Sequence, residues 1–179
     1  ARALVQESGL APVRGKLSYA SDQISWGIPI AILAQKIQAD LAAVGITLDL
    51  DGLPIVTSLQ QYRSGKNQFG VWGWAADYPD PSDFLVWAPG RVVGKRAGWL
   101  PSAGPAAQKL AALADQAEAE VEPHKRIGLL QEFDRTLGQV GPFAPLFQPA
   151  VPYAYRSNIR GVAYHSVWAI DMYPIRKTT

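Results

Sequence analysis

The sequence predicts an α/β fold, a mixed sheet flanked by helices, on three observations. Between residues 16 and 75 the apolar positions pass from alternation to helical spacing and back, giving the order β-α-β-α-β. Segments before and after the helices carry the capping and stopping residues that such boundaries need. Finally, 179 residues with 48% apolar and 18% charged content suit one domain of ordinary size with a real core.

Residues 1–9 read as a helix closed by Gly9, and Lys16 to Tyr19 alternate as a short strand. Ile30, Leu33, Ile37, Leu41 and Val44 form an apolar stripe at spacings of 3 and 4. Asp22 or Ser25 is expected to cap this helix, Pro29 fits its first turns, and Gly45 supplies a left-handed stop. Ile46, Leu48 and Leu50 then alternate with Thr47, Asp49 and Asp51, the pattern of a strand with one buried face. A second helix is expected over residues 54–64 with Val56, Leu59 and Tyr62 inward. Phe69 to Ala75 reads as a buried aromatic strand.

The prolines and glycines of residues 79–104 predict a long loop, and loops of that length in a compact domain are usually functional. Two helices follow, near 105–118 and 123–138, the second opening on Pro123 and turning Ile127, Leu130, Phe133 and Leu137 inward. Extended segments are expected over 143–156 and 161–168.

Composition excludes several classes of function. With no cysteine, disulfides, thiolate metal sites and cysteine nucleophiles are ruled out. The net charge of +2 is spread along the chain without a phosphate-tracking cluster, which argues against nucleic acid as a partner. No P-loop, dinucleotide fingerprint or G-x-S-x-G elbow occurs, so neither a nucleotide cofactor nor a serine nucleophile is expected. His124 and His165 lie far apart, each without a metal-ligand partner at a suggestive spacing. No apolar run approaches a membrane span, and the opening Ala1-Arg2-Ala3-Leu4 reads as the middle of a helix, so a piece of a longer chain is expected.

The segment Gly73-Trp74-Ala75-Ala76-Asp77-Tyr78-Pro79-Asp80-Pro81 concentrates the candidate chemistry. Asp80 and Asp83 read as caps of turns and of a short helix after Pro81. Asp77 stands where a strand is expected to end, the side on which open α/β sheets bind ligands. Flanked by Trp74 and Tyr78, its carboxylate suits a cationic group, with the rings adding apolar contact and cation–π attraction. At this point a turn carboxylate and a ligand-binding carboxylate are both open readings of Asp77. A hydrolase using Asp77 or Asp80 is the enzymatic alternative, and it lacks a visible second catalytic group. Trp72 and Trp74, two apart on an expected strand, should share a face, with Trp99 as a further aromatic wall.

Four stretches then resemble one family. Leu33 to Leu50 carries the helix ending in "L-x-x-V/I-G-I" that runs into a strand, and Phe69 to Leu85 is similar to "F-D-x-x-x-x-G-W-x-A-D-Y-x-D/E-P-x-x-F-L". Ala114-Asp115 through Arg126 to Glu132 is similar to "A-x-x-E-x-D-x-x-K-R-x-x-L-Y-Q-E". Pro145-Leu146-Phe147 and Asn158 to Val162 resemble "P-L-Y … N-V-K-G-F". In order, and over most of the chain, these resemble the bacterial extracellular solute-binding proteins of family 5, in their C-terminal portion.

The resemblance implies a role as the non-enzymatic substrate-binding component of an ABC importer. Such a protein captures di- to oligopeptides between two lobes that close like a hinged trap, and passes them to membrane permease subunits. Residues 1–155 correspond to lobe II and residues 156–179 to a tail returning to lobe I. Asp77 then takes the peptide's α-ammonium, with Trp74, Tyr78 and Trp72 around the ligand, and no cofactor or metal. A periplasmic or extracellular location is implied, with a lipid anchor through an N-terminal segment as one form of it. A monomer is the expected full-length state. Other members carry opines, oligosaccharides, haem or nickel chelates, and the same fold serves ligand sensors. Two departures stand out: the family's "F-D" is Phe69-Gly70 here, and Val71 replaces an arginine that in some oligopeptide binders helps hold the peptide carboxylate.

Overall fold

A computed structural model describes the chain apart from Ala11, Trp26 and Thr179. It divides into two compact units, residues 1–73 with 95–98 and residues 74–94 with 99–179.

The first unit is the α/β part. Helix α1 (Arg2–Glu7) leads, through Gly9 at φ 66°, into strand β1 (Val13–Ala20). A short hairpin, β2 (Ile24–Ser25) and β3 (Ile28–Pro29), precedes helix α2 (Ile30–Ala42). Strand β4 (Ile46–Leu53), helix α3 (Ile55–Arg63) and strand β5 (Phe69–Gly70) complete it. The sheet runs β4-β1-β5 and is parallel throughout, with Val13 opposite Ile46 and Leu17 opposite both Leu50 and Phe69. Strand β1 is therefore central, and its last four residues are buried. Leu17, Tyr19, Leu48 and Val71 close over Ala34 of α2, with Ile30, Leu33, Ile37 and Leu41 packed around them, so the stripe read from the sequence faces this core. Gly45 ends the helix at φ 92°, in the left-handed region.

Several expectations need correction here. Neither Asp22 nor Ser25 caps α2, whose first residue follows Pro29 directly. Asp22 instead accepts the Ile55 N–H at 3.0 Å, satisfying the start of α3. In α3 Val56 is 66% exposed and Ser58 is the buried residue. The expected strand over 69–75 stops at Gly70, with one further bond from the Val71 N–H to the Ser18 carbonyl at 3.3 Å.

The second unit is built on a helical hairpin, α5 (Pro105–Ala119) and α6 (Pro123–Val140). Glu122 caps α6 by accepting the N–H groups of His124 and Lys125 at 3.0 and 2.7 Å. Ala107, Leu110, Leu113, Ala114 and Ala117 of α5 meet Leu130 and Phe133 of α6, together with Leu85, Ala88 and Trp99. Ile127 is half exposed and lies outside this core. The stretch expected to be loop holds a 3-10 helix, Pro81–Trp87, the short helix α4 (Val92–Arg96), in which the chain passes between units, and a turn at Pro101–Ala103. Residues 143–156, expected to be extended, form neither helix nor paired strand. Beyond them lie two antiparallel ribbons, β6 (Ile159–Arg160) with β9 (Arg176–Lys177) and β7 (Ala163–His165) with β8 (Ala169–Asp171).

Candidate functional site

The Asp77 turn belongs to the second unit, and its shape is set by two other aspartates. Pro81 pushes the residue before it out of helical backbone and suits the first position of the helix that follows. Asp80 therefore sits in extended backbone and caps the 3-10 helix, its Oδ1 accepting the Ser82 N–H at 2.8 Å. The same carboxylate is gripped by Arg126 of α6, and this pair holds it well below the usual carboxylate range. Asp83, one turn further, is only 2% exposed; its Oδ2 accepts the Asp77 N–H at 2.9 Å. It is thus an anchor for Asp77 rather than a cap of the helix start.

With its backbone fixed in this way, Asp77 presents an exposed side chain. Among the described residues no Lys, Arg or His nitrogen lies within 4 Å of its carboxylate. Tyr78, also exposed, has its hydroxyl 3.3 Å from Ser82 Oγ. A free carboxylate on a braced turn can accept charge-assisted hydrogen bonds from an ammonium or guanidinium group.

The tryptophans fall into two settings. Trp74 meets Trp87 edge to face at 5.8 Å, Trp87 meets Phe143 at 4.7 Å, and Phe143 meets Trp99 at 6.0 Å, an aromatic chain running into the core of the second unit. Trp99 is core, not the wall expected of it. Trp72 lies in the first unit, stacked on Tyr62 at 4.4 Å with 28° between planes. Both tryptophans lie beyond the end of strand pairing, so the strand alternation that would have given them one face does not apply. His165, away from this region in sequence, stacks on Trp168 and accepts the Val167 and Trp168 N–H groups at its Nδ1.

Sequence reasoning missed three participants: Asp83 as the anchor of Asp77, Arg126 as the partner of Asp80, and Tyr62 as the support of Trp72. The spacing from Asp77 to Asp83 across Pro-x-Pro hinted at the first. The other two join residues 46 and 10 positions apart, with no local signal.

No protein-family model matches the chain. By sequence it is 27% identical over 175 residues to Di/tripeptide-binding protein 2 of Pseudomonas aeruginosa, covering 96% of this chain and 32% of that protein. Di/tripeptide-binding protein 4 of the same organism is 29% identical over 166 residues, covering 90% of this chain and 30% of that protein. The fold is that of the periplasmic binding protein DppA from Helicobacter pylori, solved in complex with peptide STSA. The TM-score is 0.72 at 19% identity, over 98% of this chain and 33% of that one. The chain spans about a third of the length of the relatives it matches.

Proposed function

From its standing as a homologue of bacterial di/tripeptide- and oligopeptide-binding proteins, with the α/β fold of that group, we propose that the chain is part of a peptide-capturing component of an ABC importer. The observation that carries this reading is Asp77: an exposed carboxylate without a cationic partner among the described residues, on a turn whose backbone a buried aspartate holds. It takes the peptide's α-ammonium, a charge-assisted contact worth roughly 1.5–3 kcal/mol. Trp74 and Tyr78 offer aromatic contact beside it, and Trp72, in the first unit, is a further aromatic group offered to a ligand.

In this reading residues 1–155 serve as the second lobe of a two-lobed trap, and residues 156–179 return to complete the first lobe. The exposed aromatic side chains of Tyr164, Trp168 and Tyr173 support this, being large apolar groups on the tail's surface. The closed, loaded protein, a monomer in the periplasm or at the cell surface, docks on membrane permease subunits and catalyses nothing. Asp80, ionised and committed to Arg126 and Ser82, is poorly placed to donate a proton to a substrate, which weighs against a hydrolase.

Thermal unfolding of the full-length protein tests the assignment with a pool of short peptides and the same pool N-acetylated. A ligand specific to the folded form adds about 2.7 kcal/mol of stability at a hundredfold excess over Kd. The expected result is a rise in Tm with free amines that is lost on acetylation and in Asp77→Ala. A protein indifferent to both pools is not a peptide binder, and opines, oligosaccharides and metal chelates become the cargo to try.

A further inference from the structure

Trp72 lies back over Gly70. A Cβ at position 70 would stand 2.9 Å from Trp72 Nε1, 3.2 Å from its Cδ1 and 3.4 Å from Asn67 Nδ2. The first of these is closer than carbon and nitrogen approach without bonding, so any side chain at 70 displaces the indole. Nothing else demands glycine there. The residue pairs with Ser18 in the sheet and is absent from the glycines in left-handed backbone. The displaced neighbour is a side chain and not a segment of backbone.

The displaced position is a defined one. The indole rests on Tyr62, and the Arg96 guanidinium lies 5.2 Å from the centroid of that same tyrosine ring. Trp72 Nε1 and both polar atoms of the Asn67 amide are buried without partners among the described residues. Stacking therefore holds the indole, with no hydrogen bond to retain it, and one methyl group at position 70 is enough to unseat it.

We infer that Gly70 is a positioning residue that seats Trp72 on Tyr62, and that the seated indole selects ligands with a large apolar or aromatic side chain. This rests on the peptide-binding reading above. A half-buried ring fixed by a second ring offers a flat surface whose ordering cost is already met before a ligand arrives. An aromatic or bulky aliphatic side chain gains from it, whereas a glycine has nothing to lay against it.

The test uses the full-length protein, tryptophan-labelled for indole N–H resonances, with Trp72→Phe identifying the Trp72 signal. Gly70→Ala is expected to move that signal and leave the other tryptophan signals in place, which also establishes that the variant is folded. It is expected to lower affinity for phenylalanine-containing tripeptides roughly 3- to 10-fold relative to glycine-containing ones. In a Trp72→Ala background the same substitution should change neither affinity. An unmoved Trp72 signal in Gly70→Ala overturns the seat. A moved signal with an unchanged phenylalanine-to-glycine ratio overturns its role in selection. Wild-type protein that takes up neither tripeptide set overturns the peptide reading and the selectivity with it, while the resonance still decides the seat.

Discussion

Arg126 and Asp80 meet through two parallel hydrogen bonds, Nη2 to Oδ1 at 2.6 Å and Nη1 to Oδ2 at 3.2 Å. The fork joins the first turns of α6 to the Asp-Tyr-Pro-Asp-Pro turn, and Asp80 in addition caps the 3-10 helix. One carboxylate thus fixes the second-unit turn on which Asp77 is displayed.

This pair makes stability depend on pH in a definite direction. Arg126, then Ser82, lower the folded-state pKa of Asp80 below its ordinary value. The contribution is therefore complete above about pH 4 and fades as the pH falls through the depressed folded value. Asp80→Asn should melt below the wild type near neutrality, with the gap narrowing as the pH falls from about 4 to about 2. A gap that stays constant in melts across that range would show that ionisation of Asp80 is not its source.

Removing the buried acceptor should be more costly than its distance from any ligand suggests. Asp83→Ala leaves the Asp77 N–H unsatisfied and is expected to lower stability by roughly 1–3 kcal/mol in urea unfolding. Asp83→Asn, which keeps an acceptor of the same shape, should lose less.

Ser58 offers the opposite sign. It is 0% exposed, and its Oγ has no partner among the described residues. Ser58→Ala removes a desolvated hydroxyl without removing a bond, so stability should rise, by about 1 kcal/mol. A fall of that size on denaturation would mean that the hydroxyl is satisfied in solution by a bound water.

In the core of the second unit, Leu110 is 0% exposed among Leu85, Trp99, Leu130 and Phe133. Leu110→Ala should cost about 2–5 kcal/mol. Val56→Ala, at an exposed helix position, should stay within about 0.5 kcal/mol. Equal effects of the two in parallel urea titrations would mean that this core is not packed as described.

Legibility in the sequence followed the range of the interactions. The α2 stripe, the Gly45 stop and the Pro123 opening of α6 are local, set by spacing and backbone chemistry, and each stands where the pattern put it. Strand β5 was overread because aromatic content suggests a buried strand, while pairing depends on a partner strand that sequence does not reveal. Val56 fits a helical stripe and still points outward, because α3 buries its small Ser58 instead. In the Asp77 turn, the Asp80 cap was readable from Asp-Pro. Its Arg126 partner was not, since a fork between residues 46 positions apart leaves no mark on either neighbourhood.

The first unit is discontinuous in the chain: it leaves at Gly73 and takes back Lys95 to Gly98. During synthesis its sheet can close once residue 73 has emerged, but Arg96 reaches Tyr62 only after some twenty more residues of the other unit have been made. A nascent chain halted between the two points would carry Trp72 on a tyrosine not yet covered by its cation. For vectorial folding, the last layer of the Trp72 seat is thus a late addition to an early-forming unit.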